Sequence, residues 1–122
     1  MAKNTPEAEL QKAVIRYINL QYGGTLIDAN TLGELKLNSF QAARAKALGN
    51  LRGRPDLFII LPKGRYHGFF IELKAEYQKG KNTEHKRVQT EIIKTLNNLG
   101  YYAVMCYGFD DAKKAIDYYF NL

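Results

Sequence analysis

Two short apolar runs, separated by a turn that contains proline and glycine, constrain the fold of this chain more than any other feature. Residues 57–61 are Leu-Phe-Ile-Ile-Leu, and residues 69–73 are Phe-Phe-Ile-Glu-Leu, followed by Lys74. Short runs that are apolar on both faces are typical of buried strands, and the 62–65 segment Pro-Lys-Gly-Arg suits a tight turn. The sequence therefore predicts a hairpin whose return strand spans about 66–74.

Three charged residues lie at the ends of these two strands. Asp56 directly precedes the first apolar run, while Glu72 and Lys74 flank Leu73 in the second. Because side chains two apart in a strand share a face, Glu72 and Lys74 project together and Leu73 faces the core. A lone Glu-x-Lys unit is more often the solvent face of an edge strand. The apolar context favours a paired or metal-bound acid instead, since isolated charges are avoided in such strands.

These residue types suit the metal-dependent hydrolysis of a phosphodiester. A hard divalent cation such as Mg²⁺ or Mn²⁺ takes oxygen ligands, commonly one or two carboxylates together with waters and substrate phosphate. Asp56 and Glu72 supply two carboxylates. The ammonium group of Lys74 can orient or help to deprotonate an attacking water, or stabilise negative charge on the phosphate. The sequence thus predicts catalytic roles for Asp56, Glu72 and Lys74.

Helical and strand patterns flank the hairpin on both sides. Thr5 caps a helix with Pro6 in its first turn, and its buried stripe comprises Leu10, Ala13, Val14, Tyr17 and Ile18. Further patterns predict helices at 39–48, 83–99 and 109–120 and strands at 25–27 and 101–107. This order predicts a single α/β domain over residues 1–122, with a mixed central sheet flanked by helices.

Two polar residues adjoin the apolar stripes of the predicted helices. At about 100° per residue, Glu7 lies close to Val14 around the first helix, so it can reach the candidate site. An acid in a first turn also suits the helix dipole, and this alternative stays open. Gln89 adjoins the stripe of the 83–99 helix, and a right-handed crossover returns it over the strand of Glu72. A plain surface glutamine is the alternative for Gln89.

The charge of the chain is +6, its pI is about 9.4, and the basic excess concentrates between residues 51 and 95. A polyanion is the natural partner, and binding through phosphate contacts weakens steeply as salt rises. The cations expected to hold a nucleic-acid backbone are Arg52, Arg54, Lys79, Lys81 and Lys86. For Lys79 and Lys81, a solvated charged surface is the alternative.

Missing motifs disfavour several function classes. The chain has no GxxxxGK[ST] or GxGxxG loop, and His67 and His85 form no HxH, HNH or HExxH pattern, so both are interpreted as structural or phosphate-facing. Cys106 cannot form an internal disulfide and is interpreted as a core residue in a reducing compartment. With no membrane-length apolar run and no signal sequence after Met1, we expect a cytoplasmic protein without a membrane partner.

Several motifs follow one another along nearly the whole chain. They are E-A-E-L-Q-K-A-V at 7–14, G-R-P-D-L at 53–57, I-E-L-K at 71–74, Gln89, and L-G-Y-Y-A-V at 99–104. In this order they resemble the VRR-NUC branch of the PD-(D/E)XK nuclease superfamily. The segment 30–51 matches little beyond Asn30.

The resemblance implies a restriction-endonuclease-like fold with an αβββαβ core and a Mg²⁺- or Mn²⁺-dependent endonuclease. It implies that Asp56, Glu72 and the backbone carbonyl of Leu73 bind the metal, with Glu7 contributing directly or through water. Gln89 would support the water that Lys74 positions. The resemblance further implies a homodimer that cleaves branched DNA such as four-way (Holliday) junctions, as a standalone, phage-type domain in a bacterial host cell.

Two other functions stay open at this point. One is a nuclease of the same superfamily that acts on flap, linear or restriction-type substrates. The other is a non-catalytic nucleic-acid-binding module that keeps the fold and the charge. The presence of Asp56, Glu72 and Lys74 disfavours the second.

Overall fold

Side-chain caps begin three of the four helices in the computed structural model, which describes residues 5–30 and 38–122. Thr5, Asn38 and Thr83 each accept a hydrogen bond from the backbone N–H three residues further on, at 3.0, 2.8 and 3.1 Å. Such bonds satisfy N–H groups that a helix start leaves unpaired. The helices are α1 (Pro6–Gln21), α2 (Ser39–Ala47), α3 (Glu84–Asn98) and α4 (Phe109–Phe120).

Four strands of the described chain form one sheet: β1 (Ile27–Ala29), β2 (Leu57–Ile59), β3 (Phe69–Lys74) and β4 (Tyr102–Tyr107), in the order β1-β2-β3-β4. β2 pairs antiparallel with both β1 and β3, whereas β4 pairs parallel with β3 after the α3 crossover. A 3₁₀ turn, Glu76–Gln78, follows β3. The mixed sheet with flanking helices confirms the predicted α/β class.

The hydrophobic core lies on one face of this sheet, beneath α1 and α4. Alternate residues of β2 and β3 point into it, and its fully buried side chains include Leu57, Ile59, Phe69, Ile71, Val14, Ile18, Ile116 and Tyr119. Burying an aliphatic or aromatic side chain of this size stabilises a fold by roughly 1.5–3 kcal/mol. The intervening residues of the same strands point to the opposite face, where α3 packs.

The structure corrects three expected boundaries. A strand expected at 25–27 forms instead at Ile27–Ala29, because this register pairs it with β2. The return strand begins at Phe69 and not near 66, since a separate Lys63–Tyr66 bridge closes the turn first. α2 begins at Ser39 as expected, capped by Asn38 in a capping box with Gln41, but it ends at Ala47 and not at residue 48.

Two expectations from the sequence fall on residues that the structure does not describe. Residues 1–4, on which the absence of a signal sequence rests, lie outside the described residues, as do 31–37 of the weakly matching segment. Among the residues that are described, no helix has both the length and the apolarity needed to cross a membrane. α2 buries none of its side chains, and Phe40 is 77% exposed.

Candidate active site

The strand register sets Asp56 opposite Glu72. Phe58 pairs with Phe70, and their rings stack 4.2 Å apart on the α3 side of the sheet. Two residues further along the same register, Asp56 faces Glu72, and both side chains share that side. Side chains directly opposite in an antiparallel pair have Cβ atoms roughly 4.5–5.5 Å apart. The predicted juxtaposition of the two carboxylates is therefore a property of the hairpin itself.

Asp56 is hydrogen-bonded to the neighbouring strand. In the continued register Pro55 would face Leu73, and proline has no N–H to give to the Leu73 carbonyl. The Leu73 N–H donates to Oδ2 of Asp56, at 2.7 Å. This hydrogen bond fixes the Asp56 carboxylate at the strand end. The Leu73 carbonyl receives no backbone hydrogen bond from Pro55, because proline has no N–H.

Glu72 is an acid in an environment that disfavours its charge. It is only 3% exposed, and Oε1 has no hydrogen-bond partner within the described residues. Lys74 Nζ lies 4.0 Å from the other oxygen, Oε2. Burial, followed by a hydrogen bond and repulsion from Asp56, raises the pKa of Glu72 to about 10 despite the opposing effect of Lys74. Without a cation, Glu72 therefore stays protonated near neutral pH.

Gln89 reaches the same region from α3. It is 5% exposed, and its Oε1 also lacks a hydrogen-bond partner in the part of the chain that is described. The loop before β2 passes close above it: a Cβ on Gly53 would lie 2.8 Å from Val88 Cγ1. Gly53 also has a φ of +79°, a conformation that favours glycine. Glycine at this position thus permits the approach that encloses Gln89.

The arrangement fits a divalent cation with oxygen ligands. Two carboxylates lie side by side, and the buried oxygens of Glu72 and Gln89 lack donors, which is costly unless a ligand satisfies them. Asp56, Glu72 and the Leu73 carbonyl are the groups that would hold the ion.

Glu7 does not join this pair in the structure. It lies half-buried in the first turn of α1, a helix that packs on the opposite face of the sheet from Glu72. Within residues 5–30 and 38–122, no three His, Cys, Asp or Glu side chains gather as a potential metal cluster. A contribution from Glu7, directly or through water, stays a prediction.

Two of the cations expected to contact nucleic acid already have partners in the chain. Arg54 Nη2 donates to Oδ2 of Asp28 at 2.9 Å. Lys86 Nζ donates to the Lys81 carbonyl at 2.9 Å and lies 4.7 Å from the centre of the Tyr107 ring. Lys86 thus holds the polar loop after β3 in place.

The remaining predicted cations are open to solvent. Arg52 and Lys79 are exposed, and Lys81 Nζ lies 5.1 Å from the centre of the exposed Tyr77 ring. These three side chains can move to meet a phosphate. Their roles as phosphate contacts stay predictions.

Sequence reasoning gave too little weight to His85. It lines a cavity of about 470 Å³ together with Asp56 and Gln89. Burial of part of the ring, and then the charges of Lys74 and Arg52, lower the pKa of His85. Its spacing of four residues from Gln89, which places both on one side of α3, was the available signal.

Solved structures of known proteins resemble the whole of this chain. One is titled "VRR_NUC domain protein": it is 31% identical, has a TM-score of 0.77, and the match covers 99% of this chain and 93% of that one. Another, titled "VRR_NUC domain", is 23% identical with a TM-score of 0.59, and the match covers 94% of this chain and 98% of that one, which supports the fold alone. No family model and no curated protein matches the sequence. Full-length similarity at 31% identity, joined to the Asp56, Glu72 and Lys74 constellation, shows that the chain belongs to the VRR-NUC family of nuclease domains, with a restriction-endonuclease-like fold.

Proposed function

We propose that the protein is a Mg²⁺- or Mn²⁺-dependent endonuclease that hydrolyses DNA phosphodiester bonds. One observation carries this proposal: the buried carboxylate of Glu72, with an oxygen that has no donor in the described chain, lies opposite Asp56 and beside Lys74. A buried acid with a strongly raised pKa costs stability, and such groups concentrate at functional sites.

Asp56, Glu72 and the carbonyl of Leu73 would hold the cation. A bound Mg²⁺ or Mn²⁺ ion would lower the pKa of a coordinated water and neutralise charge on the phosphate. The Leu73 N–H holds Asp56 in the orientation that this role requires, through the 2.7 Å hydrogen bond. Gln89, with its unpartnered Oε1, would accept a hydrogen bond from water at the same site.

Lys74 would act on the reacting groups. Its side chain is 15% exposed and its Nζ lies 4.0 Å from Glu72 Oε2, so its ammonium is held at the site and not free in solvent. An ammonium in this position can orient the attacking water and stabilise the negative charge that grows on the phosphate oxygens. Its three donors suit both roles.

The DNA backbone would run over the basic surface beside the site. Arg52, Lys79 and Lys81 are free to contact phosphates, whereas Arg54 and Lys86 contribute charge from positions that intramolecular contacts hold. With a net charge of +6, the protein should bind DNA with an affinity that falls as salt rises.

Branched DNA is the substrate class that we propose, with a four-way junction as its simplest example. A domain of 122 residues presents a small surface, so a homodimer with two sites suits a substrate with two-fold symmetry. We place the activity in the cytoplasm, since the buried, free Cys106 suits a reducing compartment.

Cleavage of a labelled synthetic junction in Mg²⁺, with and without chelator, tests the proposal. Lys74→Ala should reduce cleavage by about 10²–10⁴-fold, the range for one positioned catalytic group. Lys94→Ala is the matched control, because Lys94 is 67% exposed and pairs only with Glu91 on the surface of α3. It should cleave like the wild type.

The same experiment separates the other functions. Faster cleavage of a flap or a linear duplex than of the junction would replace the proposed substrate but keep the nuclease. Equal binding by the wild type and Lys74→Ala, with no cleavage by either, would leave a non-catalytic binding module. Sedimentation of a fully active protein as a monomer would remove the homodimer.

A further inference from the structure

A cavity of about 470 Å³ adjoins the two carboxylates. One wall is the face of α2 that carries Ala42, Ala43 and Ala45, and the opposite wall contains His85 and Gln89 of α3. Asp56 lies at the boundary between this cavity and the candidate metal site. The volume falls within the range of roughly 300–1,000 Å³ that is usual for small-molecule sites.

One buried polar group among the described lining residues lacks a hydrogen-bond partner. Gln89 lines the cavity, is 95% buried, and carries an Oε1 without a donor in the described residues. A buried amide oxygen without a donor is destabilising. Ala42, Ala43 and Ala45 line the same cavity with methyl groups only, which leaves room for a ligand. A ligand with an N–H group would satisfy Gln89.

The charge at the cavity specifies the class of this ligand. Lys46 and Arg52 line it together with Arg54, and Asp56 is the only acid among the described lining residues. Apart from His85, the remaining lining is small, apolar or amide-bearing, as at Leu51 and Asn50. Cations at an apolar and amide-lined cavity complement a phosphate attached to a flat ring with hydrogen-bonding edges.

We propose that this cavity receives one unpaired nucleotide of the DNA substrate, next to the phosphodiester bond that is cut. The inference rests on the proposed nuclease function, and it deepens it. A base inside a duplex is stacked on both sides and paired, so it reaches such a pocket only after it leaves the stack, at a cost of a few kcal/mol. Nucleotides at branch points and bulges are already unpaired. The cavity thereby favours DNA at which the strands separate.

The binding part of this proposal is testable without any cleavage. Thymidine 5′-monophosphate in Mg²⁺ is the probe, and the readout is the NMR signals of ¹³C-labelled alanine methyl groups. We expect the nucleotide to shift Ala42, Ala43 and Ala45, and to leave Ala47, which is on α2 but outside the cavity lining. Inorganic phosphate, which can contact only the lining cations, should shift the three lining alanines much less than the nucleotide does. Equal shifts from phosphate alone, or no shift of the three lining alanines, would overturn the proposal.

A matched pair of variants tests the same cavity. Ala42→Phe fills it from an exposed position of α2, and Ala47→Phe adds the same ring elsewhere on that helix. Ala42→Phe should weaken nucleotide binding by about tenfold, because its ring would occupy space that the nucleotide needs. Ala47→Phe should bind like the wild type. Equal effects of the two variants, at unchanged melting temperature, would contradict the proposal.

A cleavage experiment links the cavity to substrate choice. The wild type should cut a duplex with a one-nucleotide bulge faster than the same duplex fully paired, and Ala42→Phe should lose that preference. Equal cutting of both duplexes by the wild type would overturn the inference but leave the nuclease. If no DNA is cut while the nucleotide still shifts the lining alanines, the proposed function fails and the nucleotide site remains.

Discussion

Two acids on opposite sides of the sheet have contrasting surroundings. Asp117 of α4 accepts hydrogen bonds from Tyr17 at 2.6 Å, Tyr22 at 2.8 Å and Lys113 at 3.0 Å. The hydrogen bond from Tyr17, ahead of those from Tyr22 and Lys113, lowers the pKa of Asp117, whereas burial raises the pKa of Glu72. Asp117 joins α1 to α4 and is satisfied by the fold. Glu72 is held in place by the fold but left unsatisfied.

The comparison extends to the two faces of β3. Ile71 and Leu73 point into a core without charge, while their neighbour Glu72 is equally buried on the α3 side. The apolar face therefore supplies the stability, and the other face carries a group that lowers it. Such an arrangement is expected where a site is preorganised for a ligand that the free protein lacks.

The largest expected effect comes from substituting two adjacent residues of β3, Ile71 and Glu72, which point to opposite faces of the sheet. Ile71→Ala should lower the free energy of unfolding by roughly 2–5 kcal/mol, because it leaves a cavity in the core. Glu72→Gln should leave it unchanged or raise it at pH 8 without metal, because folding at this pH must protonate a Glu72 carboxyl that the unfolded chain holds ionised. Denaturation in urea with a chelator measures both. An equal loss of unfolding free energy in the two variants would show that the two faces of β3 contribute equally to stability.

The second prediction concerns pH. The pKa of Glu72 is raised in the folded protein, so its favourable protonated state is fully present below the unfolded value of about 4.5 and is lost as the pH rises toward about 10. Without metal, the melting temperature should therefore fall across this window. Glu72→Gln should reduce this decrease of the melting temperature with pH. Glu91→Gln, a change at an exposed residue of α3, should leave the decrease as it is in the wild type.

Divalent metal should reverse this dependence. Binding to the ionised carboxylates releases the proton, so Mg²⁺ should raise the melting temperature more at high pH than at low pH. Glu72→Gln should lose this metal effect. If the melting temperature of the wild type depends on neither pH nor Mg²⁺, Glu72 is not a buried acid that binds metal when it is ionised.

The smallest effect is expected at the satisfied acid. Tyr17→Phe removes one of three donors to Asp117 and should lower the melting temperature only slightly, since the other two donors remain and the site is exposed to solvent. The pKa of Asp117 is lowered, so its contribution is present above the unfolded value of about 3.8 and is lost as the pH falls.

Thermal unfolding of Tyr17→Phe near pH 7 and near pH 3 checks this sign. The difference from the wild type should shrink in acid. A difference that grows in acid would show that Asp117 is not stabilised by its donors.

Local patterns predicted the elements on which the site stands. The helix at Phe109–Phe120 forms over the predicted residues, and β3 ends at Lys74 as its pattern indicated. Alternation along β3 correctly separated Glu72 from Leu73. The boundary at Ile27–Ala29 depends on pairing with β2, a strand distant in sequence, which no local pattern contains. The start of β3 differs because the Lys63–Tyr66 bridge closes the turn before it.

The sequence by itself determined that an acid and a lysine share one side of a strand, because side chains alternate along an extended chain. It also supplied Pro55 and Asp56 next to a hairpin, from which their place opposite β3 follows. Only the tertiary structure decided that Gln89 is buried with no donor among the described residues, and that α2 borders a cavity at the site. These features depend on how the helices pack across the sheet. The burial and the pKa of a carboxyl are set by residues that are close in space but far apart in the sequence.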